Sequence, residues 1–399
     1  IYQCDWSSDV CSSDLCAGYS VTTGHDNTII GEYAGSSSLS NTIVLKAGTN
    51  TLKVDSSGAL TVNGSAVGGG GPFSFDGNNN VLGGSDAGAC LTSGNGNVFF
   101  GNATGHDTTS GVGNVFLGDV VAYHNTTGTR NIFIGKNAAA GNVDGASNVF
   151  IGPYTGAYNV SGSYNTFIGG NAGYHNTASN NNFIGKYAGY ANTSGSNNNF
   201  MGCNAGNSNT TGSNNIAIGN NAGFGAYALT SNTTGGTNVA VGVQALNSNT
   251  TASNNTAVGY GAGFSTSTGG SNTALGYGAL YSNTTSANTA VGFQAAFNNV
   301  ASSYNTAVGY QAAYNANGAG VTALGYQAAF GAGGGTASGG NNVAIGYRAF
   351  NSFTTGGSNV AVGDNAMNSS TSASTCVAVG YLSLYTNTTG SNMALGAYA

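Results

Sequence analysis

From residue 79 onward the apolar positions fall in short clusters, each opened by Asn and closed by Gly, as in Asn305-Thr-Ala-Val-Gly309 and Asn342-Val-Ala-Ile-Gly346. The residue before the Gly is always Ile, Val, Leu, Phe or Met, which is strand chemistry in a stretch too short for a helix. A second short extended piece follows, and then a turn of the Asn-Thr-Thr-Gly-Ser type. The closing glycines run from Gly83 to Gly396 and include Gly101, Gly118, Gly135, Gly152, Gly169, Gly259 and Gly309, with a period of 17, in places 16.

A unit of this size cannot bury its apolar face alone, so units must stack with like positions above one another. The expectation is an all-β fold, a parallel β-roll or β-solenoid with about 17 residues per coil; at about 4.8 Å per coil, about nineteen coils make a rod roughly 90 Å long. Asn stands four residues before the Gly in every copy except those of Val321 and Cys376. Asn114, Asn131, Asn148, Asn165 and Asn305 are therefore expected to form a ladder of amides bonded up and down the stack. The glycines are expected to turn corners with positive φ or to abut the next backbone.

Two positions before the Gly, Phe fills seven successive units from Phe99 to Phe200, and Ala fills the next eleven, from Ala217 to Ala394. In the Ala block the residue after the Gly is Tyr or Phe in seven units, among them Tyr260, Tyr277 and Tyr310. Core volume is conserved in packed interiors, so these two slots are expected to share one space.

Outside the array the chain changes character. Residues 1–15 contain DWSSDVCSSDL, which reads as a translated sequencing-adapter oligonucleotide and is set aside as an artefact. Residues 16–40 hold partial repeat units, and 41–72 a strand-rich interruption with a turn at Asp55-Ser-Ser-Gly58 and a Gly-rich joint at Gly68–Pro72. Residues 73–399 are the array. Its two longer steps, Gly219 to Gly242 and Gly325 to Gly346, place inserted loop residues around Ala226–Gly236 and Gly331–Gly339, on one edge of the stack.

Composition narrows the function classes. Of 399 residues only 6 are Lys or Arg and 12 Asp or Glu, so titratable groups are too sparse to converge on a catalytic pocket and the cations too few for a nucleic-acid face. Apolar residues at 40%, with 22 Tyr and 17 Phe, argue against disorder, and 69 Gly without a three-residue period argue against collagen. No stretch approaches the roughly 20 apolar residues of a membrane span. The protein is expected not to be an enzyme.

Individual chemical motifs are weak. Cys16, Cys90, Cys203 and Cys376 lack CxxC spacing, and His25, His106, His124 and His175 read as turn residues, so neither a metal site nor a cofactor is expected. The sequons at Asn125, Asn209, Asn249, Asn283 and Asn387 read first as turn formers and second as glycosylation acceptors. Thr166, Thr256, Thr273, Thr289 and Thr306 share one phase and raise the least favoured reading, an ice- or crystal-binding face. Tyr123, Tyr158, Tyr174 and Tyr190 form a further file that would stack against sugar rings.

The array resembles the head repeats of trimeric autotransporter adhesins, which carry an Asn-Ser-Val-Ala-Ile-Gly-like core and stack as a left-handed parallel β-roll of three chains. The likeness lies in the core of each coil, as at Asn305–Gly309 and Asn342–Gly346, and covers about four-fifths of the chain; the unit here is longer. Such longer units look like those of bacteriophage tail-fibre shafts, and Gly58-Ala-Leu-Thr-Val-Asn-Gly-Ser-Ala-Val-Gly68 looks like the joints of such fibres. The resemblance implies a homotrimer and a non-enzymatic attachment fibre on a virion or a bacterial surface, meeting a cell-surface glycan or matrix through a tip outside this chain. A structural extracellular filament is the alternative.

Overall fold

The computed structural model describes residues 74–219, 227–332, 337–388 and 390–399, together with the backbone of short strands between residues 10 and 66. It divides into two compact units, Ile1–Thr129 and Arg130–Ala399. The described residues contain strands and turns and no helix.

In the first unit, Val10–Cys11 pairs in parallel with Thr28–Ile30, and the latter in parallel with Ile43–Ala47. Asn50–Val54, Leu60–Val62 and Ser65–Ala66 then follow antiparallel. The residues between Val54 and Leu60, and the Gly68–Pro72 joint, lie outside the described residues. A second sheet starts with Ser74–Phe75 antiparallel to Val81–Gly83, and Val98–Phe100 and Val115–Leu117 add in parallel. Val81 pairs with Val98 and Gly83 with Phe100, so the corner glycine of this first coil is Gly84 and not Gly83, and its ladder Asn is Asn80.

The second unit is a parallel β-solenoid with about 17 residues per coil. Each coil supplies one three-residue strand, from Ile132–Ile134 to Met393–Leu395, paired in register with the coil before and after, so that Phe150 lies beside Phe133 and Phe167, and Ala274 beside Ala257 and Ala290. The middle residue of every strand is buried and its two neighbours face outward, as strand alternation requires.

Four left-handed positions turn a typical coil. In the coil of Val343–Ile345 they are Asn341, Gly346, Arg348 and Phe350, at φ of 56°, 129°, 50° and 48°. A non-glycine residue in this region costs about 1 to 2 kcal/mol. What offsets it is pairing along the stack: the N–H of Gly346 donates to Leu324, that of Arg348 to Tyr326, and that of Phe350 to Ala366, at 2.8–2.9 Å. The corners aim successive backbone groups along the stack, so turn residues bond as strand residues do.

The core differs from the expected exchange. Tyr260, Tyr277, Phe293 and Tyr310 stand 41–49% exposed and share no space with the strand centre. The slot that does is the fourth after the corner glycine. A Cβ on Gly173 would meet Cε2 of Phe167 at 2.5 Å, and one on Gly189 would meet Phe183 at 2.6 Å. Where the strand centre is Ala, that slot carries buried Leu229, Leu246, Leu280, Phe350 or Met367 in some coils, and Gly263 or the buried Ala296, Ala313 and Ala329 in others. Large strand centres thus always face small corners, and large corners occur only where the strand centre is Ala. The Phe rings stack along the axis at 4.6–5.0 Å from Phe133 to Phe200, the spacing of the strands themselves.

The inserted residues also move. Asn232 and Asn238 pair in register with Asn209 and Asn215, so the first insertion falls at 220–226 rather than at Ala226–Gly236. Ala332 bonds Phe353 and Ala316 bridges Ala337, which places the second at 333–336. Both lie outside the described residues.

Candidate functional site

The surfaces available for function are files of like residues, so each candidate is a column. The corner glycines Gly101, Gly118, Gly135, Gly152, Gly169, Gly259 and Gly309 have φ of 125–135°, a region open only to glycine. At Gly259 a Cβ would lie 2.5 Å from the carbonyl oxygen of Gly276, and at Gly309 it would strike that of Gly325. These glycines are structural and present no side chain to a ligand.

Asn114, Asn131, Asn148, Asn165 and Asn305 are buried. Oδ1 of Asn148 accepts the backbone N–H of Asn165 at 2.9 Å, while Nδ2 of Asn165 donates to the carbonyl of Ala178 at 2.9 Å. The same pattern joins Asn97 to Asn114 and Asn288 to Asn305. This column is mainly amide to backbone. An amide-to-amide ladder stands elsewhere, in the turn asparagines: Nδ2 donates to Oδ1 from Asn192 to Asn176, Asn209 to Asn192, Asn232 to Asn209 and Asn249 to Asn232, at 2.6–2.7 Å. Asn125, Asn209, Asn249 and Asn283 are fully buried, which speaks against the second reading of these sequons, as glycan acceptors, and leaves the first, as turn formers, in place. Thr266 interrupts the ladder, and Asn249 Oδ1 and Thr266 Oγ1 are left buried without hydrogen bonds. Cys376 substitutes within the first column: its N–H donates to Asn359 Oδ1, and its Sγ lies 3.1 Å from the carbonyl of Gly390.

The tyrosine file is self-stacked. Tyr174 and Tyr190 lie face to face at 5.2 Å and 12°, Tyr158 meets Tyr174 edge-on at 5.0 Å, and Tyr123 is stacked on His106 at 4.7 Å. Desolvation raises the Tyr174 hydroxyl above its ordinary value, with a further push from the hydrogen bond to Tyr158. Sugar stacking needs an open ring face, and among these four the open surface belongs chiefly to Tyr158, 54% exposed. A second file, Tyr260, Tyr277, Phe293, Tyr310, Tyr326 and Tyr347, is likewise stacked at 5.1–5.3 Å and turns its ring edges outward. Beside it, Gln294, Gln311 and Gln327 form an amide file closed by Arg348.

The outward strand positions make two adjoining columns. Thr256, Thr273, Thr289 and Thr306 stand side by side in register, whereas Thr166 sits between Val149 and Asn182. The second column is apolar in every coil of the second unit, running Ile134, Ile151, Ile168, Ile184, Met201 and Ile218 in its early part, with Leu275 and Leu324 each 47% exposed.

In the first unit the stacking brings Cys90, His106 and Asp107 together, their ligand-type atoms all within 4.8 Å of one another. Nδ1 of His106 lies 2.7 Å from Oδ1 of Asp107, and Nδ1 of His124 lies 2.9 Å from Oδ2. The hydrogen bond from His106 holds the Asp107 carboxyl below its ordinary range against the partial burial that pushes it up, and His124 adds to the lowering. These positions lie in turns, as the sequence suggested, and the stacking adds what it did not, the meeting of their side chains. Cys90, Asp107 and His124 are 17 residues apart, and that shared phase was the available signal. His175 sits instead among Tyr158, Tyr174 and Tyr190, and His25 lies outside the described residues.

No family model, no curated protein and no solved structure matches the chain. Among the described residues, no helix is long and apolar enough to cross a membrane.

Proposed function

We propose that the chain is a non-enzymatic fibrous protein, the shaft or head of an attachment fibre, which works as a homotrimer outside the cell, on a phage virion or a bacterial surface. The observation that carries this reading is the unbroken apolar column on the outward face of the second unit's strands, exposed at Ile168, Met201, Ile218, Leu275 and Leu324. Isolated apolar side chains are ordinary on a surface, but a contiguous file of them marks an interface. The outward face of the strands, this column together with the partly polar one beside it, is about 10 Å wide, three extended residues at about 3.3 Å each, and about 70 Å long, roughly 700 Å² in all. That approaches the ~800 Å² a side of a standard stable interface. The strip repeats with the coil, so another copy of the same chain is the partner whose apolar spacing matches it. A purely structural filament is the second reading, favoured by the occupied ring faces of the tyrosine files.

Light scattering on the purified chain tests the assembly: a mass three times 39.1 kDa is expected, and Val258→Asp with Val291→Asp should yield a folded monomer. A stable wild-type monomer would sink the trimer. Immunogold labelling with antibodies to the chain tests the location, with decoration of tail fibres or cell surfaces expected and purely cytoplasmic labelling contrary to it.

A further inference from the structure

The chain holds only 4 His and 6 Cys in 399 residues. Two of those histidines, one of those cysteines and one of the few carboxylates meet at one place in the first unit. They come from three successive coils. Cys90, Asp107 and His124 occupy one slot of the repeat, and His106 adjoins Asp107. The register is locked by the backbone, since the N–H of Cys90 donates to the His106 carbonyl at 3.0 Å and that of Asp107 to the Tyr123 carbonyl at 2.9 Å.

We propose that Cys90, His106, Asp107 and His124 form a surface site for a divalent transition-metal ion of the zinc class, which clamps three successive coils.

The donor set is one thiolate, two imidazoles and one carboxylate, the mixed N, S and O complement that four-coordinate zinc takes. Metal–ligand bonds of about 2.0–2.3 Å put tetrahedral donors roughly 3.3–3.8 Å apart. The ligand-type atoms of Cys90, His106 and Asp107 lie within 4.8 Å of one another, and His124 joins them through Asp107, whose carboxylate oxygens lie 2.7 Å from His106 Nδ1 and 2.9 Å from His124 Nδ1, so side-chain rotation is what opens the donors to tetrahedral spacing. The imidazoles are held by neighbours: the Tyr123 ring stacks on His106 at 4.7 Å and 4° and meets His124 edge-on at 4.9 Å and 78°. Such support lowers the ordering cost of binding. Cys90 is exposed and His124 is 60% exposed, so the ion has an open path. Binding converts the Cys90 thiol to thiolate and releases its proton to solvent, which makes affinity rise with pH.

The site has a structural consequence. An ion held by three coils stabilises them in proportion to the logarithm of its concentration over Kd, and it does so without adding to the core.

The test uses the full chain and Co²⁺ as a spectroscopic probe. Titration is expected to saturate at one equivalent per chain, with a thiolate-to-cobalt charge-transfer band that Zn²⁺ displaces. Cys90→Ser should abolish the band while the far-UV circular dichroism is unchanged, because Ser208, Ser248 and Ser265 already occupy this slot in other coils. Asp107→Asn and His124→Ala should each weaken Zn²⁺ at least tenfold by calorimetry, and His175→Ala should leave it alone. Zn²⁺ should slow amide exchange across residues 84–128. A band that survives Cys90→Ser, an absence of saturable binding at one equivalent, or an equal loss in His175→Ala would overturn the proposal.

Discussion

At the scale of single residues, the fold runs on exchanges between slots that touch. Phe167 fills the space that a larger residue at Gly173 would need, and Gly173 sits at φ 57°, so its Cβ is excluded by the ring. Phe167→Ala should cost about 3 to 5 kcal/mol by opening a cavity, and Gly173→Leu alone should also destabilise, by steric conflict. The pair together should recover a large part of the loss, because Leu280 beside Ala274 is already that combination. Denaturant melts of the four proteins in a double-mutant cycle measure the coupling, and simple additivity would refute a shared space. The sequence carried this exchange in Gly, Leu, Phe and Met at one slot, yet the tyrosines after the corner glycine were the more visible change. Period alone does not tell which way a side chain points once left-handed corners redirect the backbone several times in a coil. The turn asparagines were obscured in the same way, since Asn-Thr-Thr reads alike whether the amide faces solvent or a ladder.

Columns are the elements of this molecule, and their ends and breaks are where they are weakest. Asp76 closes the first one: its carboxylate accepts the N–H of Asn80 at 3.0 Å, the Asn80 side chain at 2.7 Å and the N–H of Asn78 at 3.0 Å, the part played elsewhere by the Asn of the preceding coil. Burial pushes this carboxyl up, and the three hydrogen bonds outweigh it, so its value lies below the ordinary 3.8. A depressed folded value means stability that is fully present above pH ~4 and is lost as pH falls through the folded value. Amide exchange of the first coil should therefore quicken on acidification in that window. Asp76→Ala should remove the pH response and, at neutral pH, cost about 1 kcal/mol; an unchanged acid response in the variant would contradict the role. In the second unit the amide ladder breaks at Thr266. Thr266→Asn would give Asn249 Oδ1 a donor, and the melting midpoint should rise, with about 1 kcal/mol of added stability. A lowered midpoint would show that the Thr methyl matters more than the orphaned oxygens. The Asn file four residues before each glycine was legible in the sequence because its phase never drifts. Its bonding was not, because the acceptor of each amide is a carbonyl in the neighbouring coil, at Gly145 for Asn131 and Ala178 for Asn165.

For the molecule as a whole, interactions reach one coil up and one coil down, so stability accumulates by nearest neighbours rather than around a single centre. The cluster of Cys90, His106, Asp107 and His124 illustrates what this does to inference. Its members look scattered along the chain and become neighbours only when the coils are laid over one another. The block structure of the core has a different outcome, in the genetics of the chain. Recombination between misaligned repeats deletes or duplicates whole coils, and the product folds wherever the new neighbours present matching slots. Loss of one coil between Thr256 and Thr306 would set Ala against Ala and leave the amide and threonine files in step. The junction at Phe200 and Ala217 is another matter, since it is the one described step where a ring meets a methyl. Crossing-over is thus free to vary the length of each block and is penalised for mixing them, so two internally uniform blocks of unequal length are what selection on folding would leave behind.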